Sequence, residues 1–174
     1  MGGGYKQLTL GECGCFYSGL NGKSKADFEN GGARYITYMN VYSHIATQLE
    51  IDDRVRVLPD ERQNFIQKGD VLFTGSSETP EECGMSSVVT SDLSERIYLN
   101  SFCFGFRFND KSFYLPDFAK FLFRSTVLRR QIVKTASGVT RYNVIIRLKW
   151  SINKIGPKTI RRPTYEHTCN TYEN

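Results

Sequence analysis

Along SFCFGFRFNDKSFYLPDFAKFLFRSTVLRRQIVKTASGVTRYNV, Ser101 to Val144, the hydrophobic period changes. In Ser101–Phe108, Phe102, Phe104, Phe106 and Phe108 fall on one face, and Ser101, Cys103, Gly105 and Arg107 on the other. A period of two predicts a strand. From Pro116-Asp117, a good helix start, the period lengthens to near 3.6. Phe118, Phe121, Leu122, Leu128 and Ile132 form the apolar stripe of one helix running to about Thr135. Lys120, Arg124 and Lys134 lie away from that stripe and Arg130 flanks it, which gives the helix a basic back. Gly138 suits a left-handed stop. Four aromatics on one strand face could stack bases, but a core role is the favoured reading.

The rest of the body alternates short strand-like runs with turns. ARYITYMNV (Ala33–Val41) follows the turn signal NGG and predicts a strand, with Tyr38 to Asn40 at its end. GDVLFTG (Gly69–Gly75) has the continuous apolar pattern of a buried strand. SSVVT (Ser86–Thr90) and RIYL (Arg96–Leu99) predict two more. Three stretches are long and polar: Ser18–Gly32, Gly75–Ser86 and the segment after about Trp150. Recognition usually resides on such loops. The fold class expected is α/β of the α+β type, a twisted mixed β-sheet with a packed C-terminal amphipathic helix. The expected domains are a loose N-terminus or expression remnant at 1–4, one domain at 5–148, and a basic, poorly structured tail at 149–174.

Charge is unevenly distributed. The chain carries a net +5, yet Phe118–Tyr165 holds twelve basic residues and no Asp or Glu. The remainder holds eleven basic against eighteen acidic residues. A polyanion partner for the C-terminal third follows from that asymmetry. No apolar run approaches the roughly 18 residues of a membrane span, and MGGGYKQLTL lacks a signal-peptide pattern. Five irregularly spaced cysteines and two histidines do not make a zinc site. They fit buried thiols in a reducing cytoplasm.

The chemical motifs fail one by one. GLNGKS (Gly19–Ser24) ends like a phosphate loop, but Tyr17 stands where the first glycine should be. Lys23 and Lys25 remain as loop cations that could touch phosphates. No G-x-S-x-G elbow is present, and nothing local supports a Cys83–His44 pair. Glu78, Glu81 and Glu82 cluster on one loop, where solvation is the ordinary fate. PDERQNFIQKGD holds carboxylates and a lysine, but its spacing does not support a metal-dependent nuclease. No catalytic centre, cofactor site or metal site is expected. A binding module remains, with GSSETPEECGMSS supplying small donors and acceptors for base edges or phosphates.

In order along the chain, LTLGECGCFYSGLNGKS, YITYMNV, KGDVLFTGSSETPEECGMSSVV, YLNSFCFGFRF and the helix ending in ASGVTRYNV resemble the target recognition domain of type I restriction-modification specificity subunits. The resemblance spans about Tyr5–Val144; the GD(V/I)L loop and the closing SGxTRxN motif are its most specific parts. It implies a non-catalytic component that reads one half of a bipartite double-stranded DNA target. Its partners would be methyltransferase subunits and, through them, the restriction subunit. Within the closing motif Gly138 turns the chain, Arg141 offers a fork, and Thr140 and Asn143 can donate to DNA or pin the loop. A structural or phosphate role is favoured there over base readout. The expected phosphate grips are Lys23, Lys25, Lys134 and Arg141. The expected readout residues are Tyr38, Asn40, Thr74, Ser76, Ser77 and Glu78.

The resemblance stops after Val144. Where the family continues into a long spacer helix, this chain has IIRLKWSINKIGPKTIRRPTYEHTCNTYEN, which has no heptads and is interrupted by Gly156-Pro157 and Pro163. A truncated or frame-shifted specificity subunit is the expectation. The alternative is a protein-interaction module, a homodimer or a ligand of methyltransferase subunits, using Trp150 and Ile155 as contacts.

Overall fold

The structure is a computed structural model, and it describes residues 6–29, 31–138, 141–144 and 150–154. The chain runs β1 (Lys6–Thr9), α1 (Leu10–Cys13), β2 (Gly14–Ser18), α2 (Lys25–Glu29), β3 (Ala33–Ile36), α3 (Tyr38–Ser43) and β4 (Arg54–Val55). Next come β5 (Val71–Thr74), β6 (Ser76–Ser77), a 3-10 turn at Pro80–Glu82, β7 (Ser86–Val88), β8 (Tyr98–Leu99) and β9 (Cys103–Phe108). Helices α4 (Pro116–Leu122) and α5 (Thr126–Val133) precede β10 (Ala136–Ser137), β11 (Tyr142–Val144) and β12 (Ser151–Lys154). The mixed α+β class read from the sequence is borne out.

The central sheet is antiparallel, in the order β2-β9-β5-β7. A second sheet, β4-β3-β8, contains a parallel pair, β3 with β8. Two smaller sheets join β10-β11-β6 and β1-β12. Every residue of β5 is buried, as its unbroken apolar run requires. On β9, Phe104, Phe106 and Phe108 enter a core with Phe73, Phe123, Leu128 and Ile132. Burying each such aromatic stabilises by about 1.5–3 kcal/mol. Cys103, with Leu72 of β5, faces a second cluster containing Ile36, Val41 and Leu99. Cys13, Cys83 and Cys103 are buried. Phe102 departs from its predicted face. It lies just before the strand begins and is 58% exposed.

A buried ionic knot braces the central sheet. Arg107 of β9 donates from Nε to Asp70 Oδ1 at 2.9 Å and from Nη2 to Oδ2 at 2.7 Å. Tyr17 of β2 donates its hydroxyl to the same carboxylate at 2.7 Å, and its ring lies under the guanidinium. Gly105 makes room: a Cβ there would come within 2.0 Å of the Tyr17 ring. Gln67 N also donates to Asp70 Oδ2, at 2.8 Å, so both oxygens of this buried carboxylate have donors, as a charge out of water requires.

Three expectations need correction. The single helix over Pro116–Thr135 is two helices, broken at Phe123–Ser125. Ser125 caps α5 by accepting from Leu128 N, and the change of direction turns Phe123 inward. Phe118 and Phe121, placed in the predicted stripe, are instead 47% and 61% exposed. The strand predicted through Ala33–Val41 stops at Ile36. Thr37 accepts a hydrogen bond from Asn40 N and starts α3; a local side-chain cap therefore overrides the β-branched pattern. Finally, the domain does not end at 148. β12 pairs along all of β1, and Trp150 and Ile152 are buried in the main core.

Candidate nucleic-acid interface

β6 is the hub of the site. It continues the GDVLFTGSS segment one residue beyond β5, and it pairs antiparallel with β11, Tyr142 opposite Ser77 and Asn143 opposite Ser76. The closing motif is therefore hydrogen-bonded to the Ser-rich loop, with Val144 N also donating to Gly75 O at 2.8 Å. From the other side, Tyr38 at the start of α3 donates its hydroxyl to Ser76 O at 2.7 Å. Three segments far apart in sequence thus enclose one cleft, lined by Tyr38, Met39, Tyr42, Ser76, Ser77, Glu78, Glu82 and Arg141.

Two arginines fix the walls. A helix end leaves carbonyls without partners, and a cation there satisfies them and the dipole together. Arg124 donates to the carbonyls of Val41 (3.1 Å) and Tyr42 (2.9 Å) at the C-terminal end of α3, and to Ser86 O at 2.6 Å. Arg129 does the same for the 3-10 turn, donating to the carbonyls of Glu81 (2.6 Å), Cys83 (2.7 Å) and Gly84. Burial lowers both guanidinium pKa values. Neither stands on an exposed basic back, as Arg124 was expected to do. Lys120 is paired with Asp117 at 2.7 Å.

Within the cleft, Tyr38 and Tyr42, one helical turn apart, stack at 6.1 Å. Glu82 accepts from Tyr42 Oη at 2.8 Å and from Ser77 Oγ at 3.1 Å. The Tyr42 hydroxyl, and then that of Ser77, holds the Glu82 carboxyl below the usual range. Arg141 is exposed; its Nε donates to Ser76 Oγ at 3.1 Å, and its guanidinium lies 5.6 Å from the centre of the Phe102 ring. Among the described residues Arg141 has no carboxylate partner. Glu78 is exposed and makes no hydrogen bond to the rest of the described chain.

The structure thus brings Tyr38, Ser76, Ser77, Glu78 and Arg141 together. Asn143 is exposed on the adjoining strand. Other expected contacts face elsewhere or inward. Asn40 is buried, donating to Gln48 O at 2.9 Å and accepting from Gln48 N at 3.1 Å, so its amide closes a loop and cannot read an adenine. Thr74 is fully buried and its hydroxyl accepts from Met85 N. Lys23 is tied to Glu61, with its side chain 4% exposed, so it is not a free phosphate grip. The neighbouring Ser24 and Asp27 form a local turn at the start of α2, with Ser24 N donating to Asp27 at 2.9 Å; that capping explains GKS without a phosphate. Lys25 is 93% exposed and Lys134 is exposed at the end of α5. Thr140 lies outside the described residues. Met39, Tyr42, Glu82 and Phe102 were missed. Thr37 and Asn40, spaced as a helix cap, were the available signal for the first two.

Among the described residues no group of three His, Cys, Asp or Glu could hold a metal, and no helix is long and apolar enough to cross a membrane. No protein-family model matches the chain, and no curated protein matches it significantly. Solved structures do match. The S subunit of a type I restriction-modification system from M. genitalium aligns over 87% of this chain and 34% of its own, with a TM-score of 0.53 at 13% identity. The fold is one that type I S subunits share. A second match, from a structural study of complex assembly and conformational transition in the type I system, covers 88% of this chain and 35% of its own, with a TM-score of 0.55 at 16% identity. The chain spans about one third of the length of these structures. The resemblance read from the sequence is borne out at the level of the fold.

Proposed function

We propose that this chain binds double-stranded DNA sequence-specifically, reading one half of a bipartite target for a type I restriction-modification complex. The observation that carries this reading is the convergence of the closing motif, the Ser-rich loop and α3 on one cleft, in a fold shared with S subunits. Arg141, Glu78 and Asn143 present polar groups to solvent there, and sequence is read by such groups at base edges. Exposed Lys25, Arg130 and Lys134 supply cations for backbone contact. In this reading the chain has no catalytic residues of its own. It works in the cytoplasm and delivers specificity to methyltransferase subunits and, through them, to a restriction subunit.

The interaction-module alternative loses its named contact: Trp150 is 2% exposed and belongs to the core, while Ile155 lies outside the described residues.

Selection from a randomised duplex pool, repeated at rising salt, tests the proposal. Counterion release makes non-specific binding fall steeply with salt. Enrichment of a few defined base pairs that survives moderate salt is the expected result. Purely salt-sensitive binding with nothing enriched would sink it.

A further inference from the structure

We infer that Arg141 is a guanine reader, and that Glu78 beside it accepts from the exocyclic amine of a cytosine, so the cleft recognises a G·C pair. This rests on the DNA-reading proposal above and departs from the phosphate role that the sequence favours for Arg141.

The geometry separates the two roles. Arg141 Nε is occupied by Ser76 Oγ at 3.1 Å, and the guanidinium carbon lies over the Phe102 ring. The two Nη groups, which carry the parallel N–H pair that fits guanine O6 and N7, are left without a partner among the described residues. A side chain held by one hydrogen bond and one ring face is pre-organised, so less freedom is lost when the fork binds.

The surroundings decide what it binds. The same cleft carries the carboxylates of Glu78 and Glu82. A phosphodiester entering beside two carboxylates meets like charge, which offsets its attraction to a single guanidinium. A base edge is neutral and offers donors as well as acceptors. It can satisfy the Arg141 fork and a carboxylate together. Glu82 is already engaged by Tyr42 and Ser77. Glu78 is not, and a carboxylate accepting from cytosine N4 is the pairing its chemistry suits. The exposed cations suited to phosphate, Lys25 and Lys134, are not among the residues lining the cleft.

The test uses the full 174-residue chain and the duplex enriched by selection. Each guanine is replaced in turn by 7-deazaguanine, which lacks the N7 acceptor. Kd is measured for the wild type, Arg141→Ala and Glu78→Ala over a salt series, and again with N4-methylcytosine opposite each guanine. At one position the 7-deazaguanine replacement should weaken wild-type binding about ten-fold or more and cost Arg141→Ala nothing further. The salt slope of Arg141→Ala should equal that of the wild type. Glu78→Ala should keep the 7-deazaguanine effect, while N4-methylcytosine at the paired position should weaken the wild type and cost Glu78→Ala nothing further. If Arg141→Ala instead weakens every duplex alike and flattens the salt slope by about one unit, Arg141 grips phosphate. The inference then fails while DNA reading stands. If the wild-type chain enriches no duplex, both fall together.

Discussion

Two of the arginines that lie over aromatic rings, Arg107 and Arg141, end in opposite conditions. Arg107 sits 5.0 Å from the centre of Tyr17 and closes a fork on Asp70, whose side chain is 1% exposed. Arg141 sits 5.6 Å from the centre of Phe102 and has only a serine hydroxyl on Nε. The ring contact is common to both; the carboxylate is not. Where a guanidinium closes on a carboxylate within the chain it holds two strands and a loop together. Where it is left unanswered at the surface it is available to something else. Residue type and aromatic neighbours therefore do not separate a brace from an exposed guanidinium. The internal carboxylate does.

Breaking the brace should produce the largest effect. Asp70→Ala leaves Arg107 partly buried without its anion and frees the Tyr17 hydroxyl. Removing one partner of such a pair costs about 3–5 kcal/mol, which lowers Tm by about 10 °C for a chain of this size. A loss below about 1 kcal/mol in a denaturant titration would show that the knot is worth no more than a surface pair, and the contrast would collapse. The staples come next. Arg124→Ala and Arg129→Ala each strip a cation from two or more backbone carbonyls at an element end. Water can reach these half-buried sites, so the expected cost is about 2 kcal/mol each. Faster amide exchange should appear in α3 for the first variant and around Pro80–Glu82 for the second.

Acid should act on the cleft through Glu82. Glu82 has its folded-state pKa depressed, chiefly by the Tyr42 hydroxyl. A depressed carboxyl contributes stability that is fully present above its unfolded value, about 4.3, and that is lost as pH falls through the folded value. Glu82→Gln should therefore show a shallower fall in Tm below about pH 4.3 than the wild type does. Parallel curves for the two proteins would show that Glu82 does not couple the 3-10 turn to α3.

How much of this could be read from the sequence differs by level. The strand at Cys103–Phe108 and the buried run Val71–Thr74 were legible because periodicity reports burial directly. The break at Phe123–Ser125 was not. An apolar stripe continues formally across it, and only the Ser125 cap and the inward turn of Phe123 reveal it. Tyr38–Asn40 was misread for a related reason: aromatic and β-branched neighbours suggested a strand, while the Thr37 cap set the backbone. The members of the site were found where they share a short motif, as Ser76, Ser77 and Glu78 do. Asn40, Thr74 and Lys23 have suitable chemistry but are occupied internally by Gln48, Met85 and Glu61. Composition says which groups a chain owns. Only the fold says which of them remain unanswered.

The smallest effect on stability is expected at Arg141. Arg141→Ala removes an exposed side chain, one hydrogen bond to a neutral hydroxyl and one exposed cation–ring contact. Each of these is worth about 0.5–1 kcal/mol at most, and the variant regains the conformational freedom of a long side chain. The net change should stay within about 0.5 kcal/mol, a shift in Tm of about 2 °C or less. The same substitution should remove base discrimination at one position of the selected duplex. A destabilisation approaching that of Asp70→Ala would mean that Arg141 braces β6 and β11 as Arg107 braces β2, β9 and the loop at Asp70. The cleft would then have no pre-organised fork to offer a base.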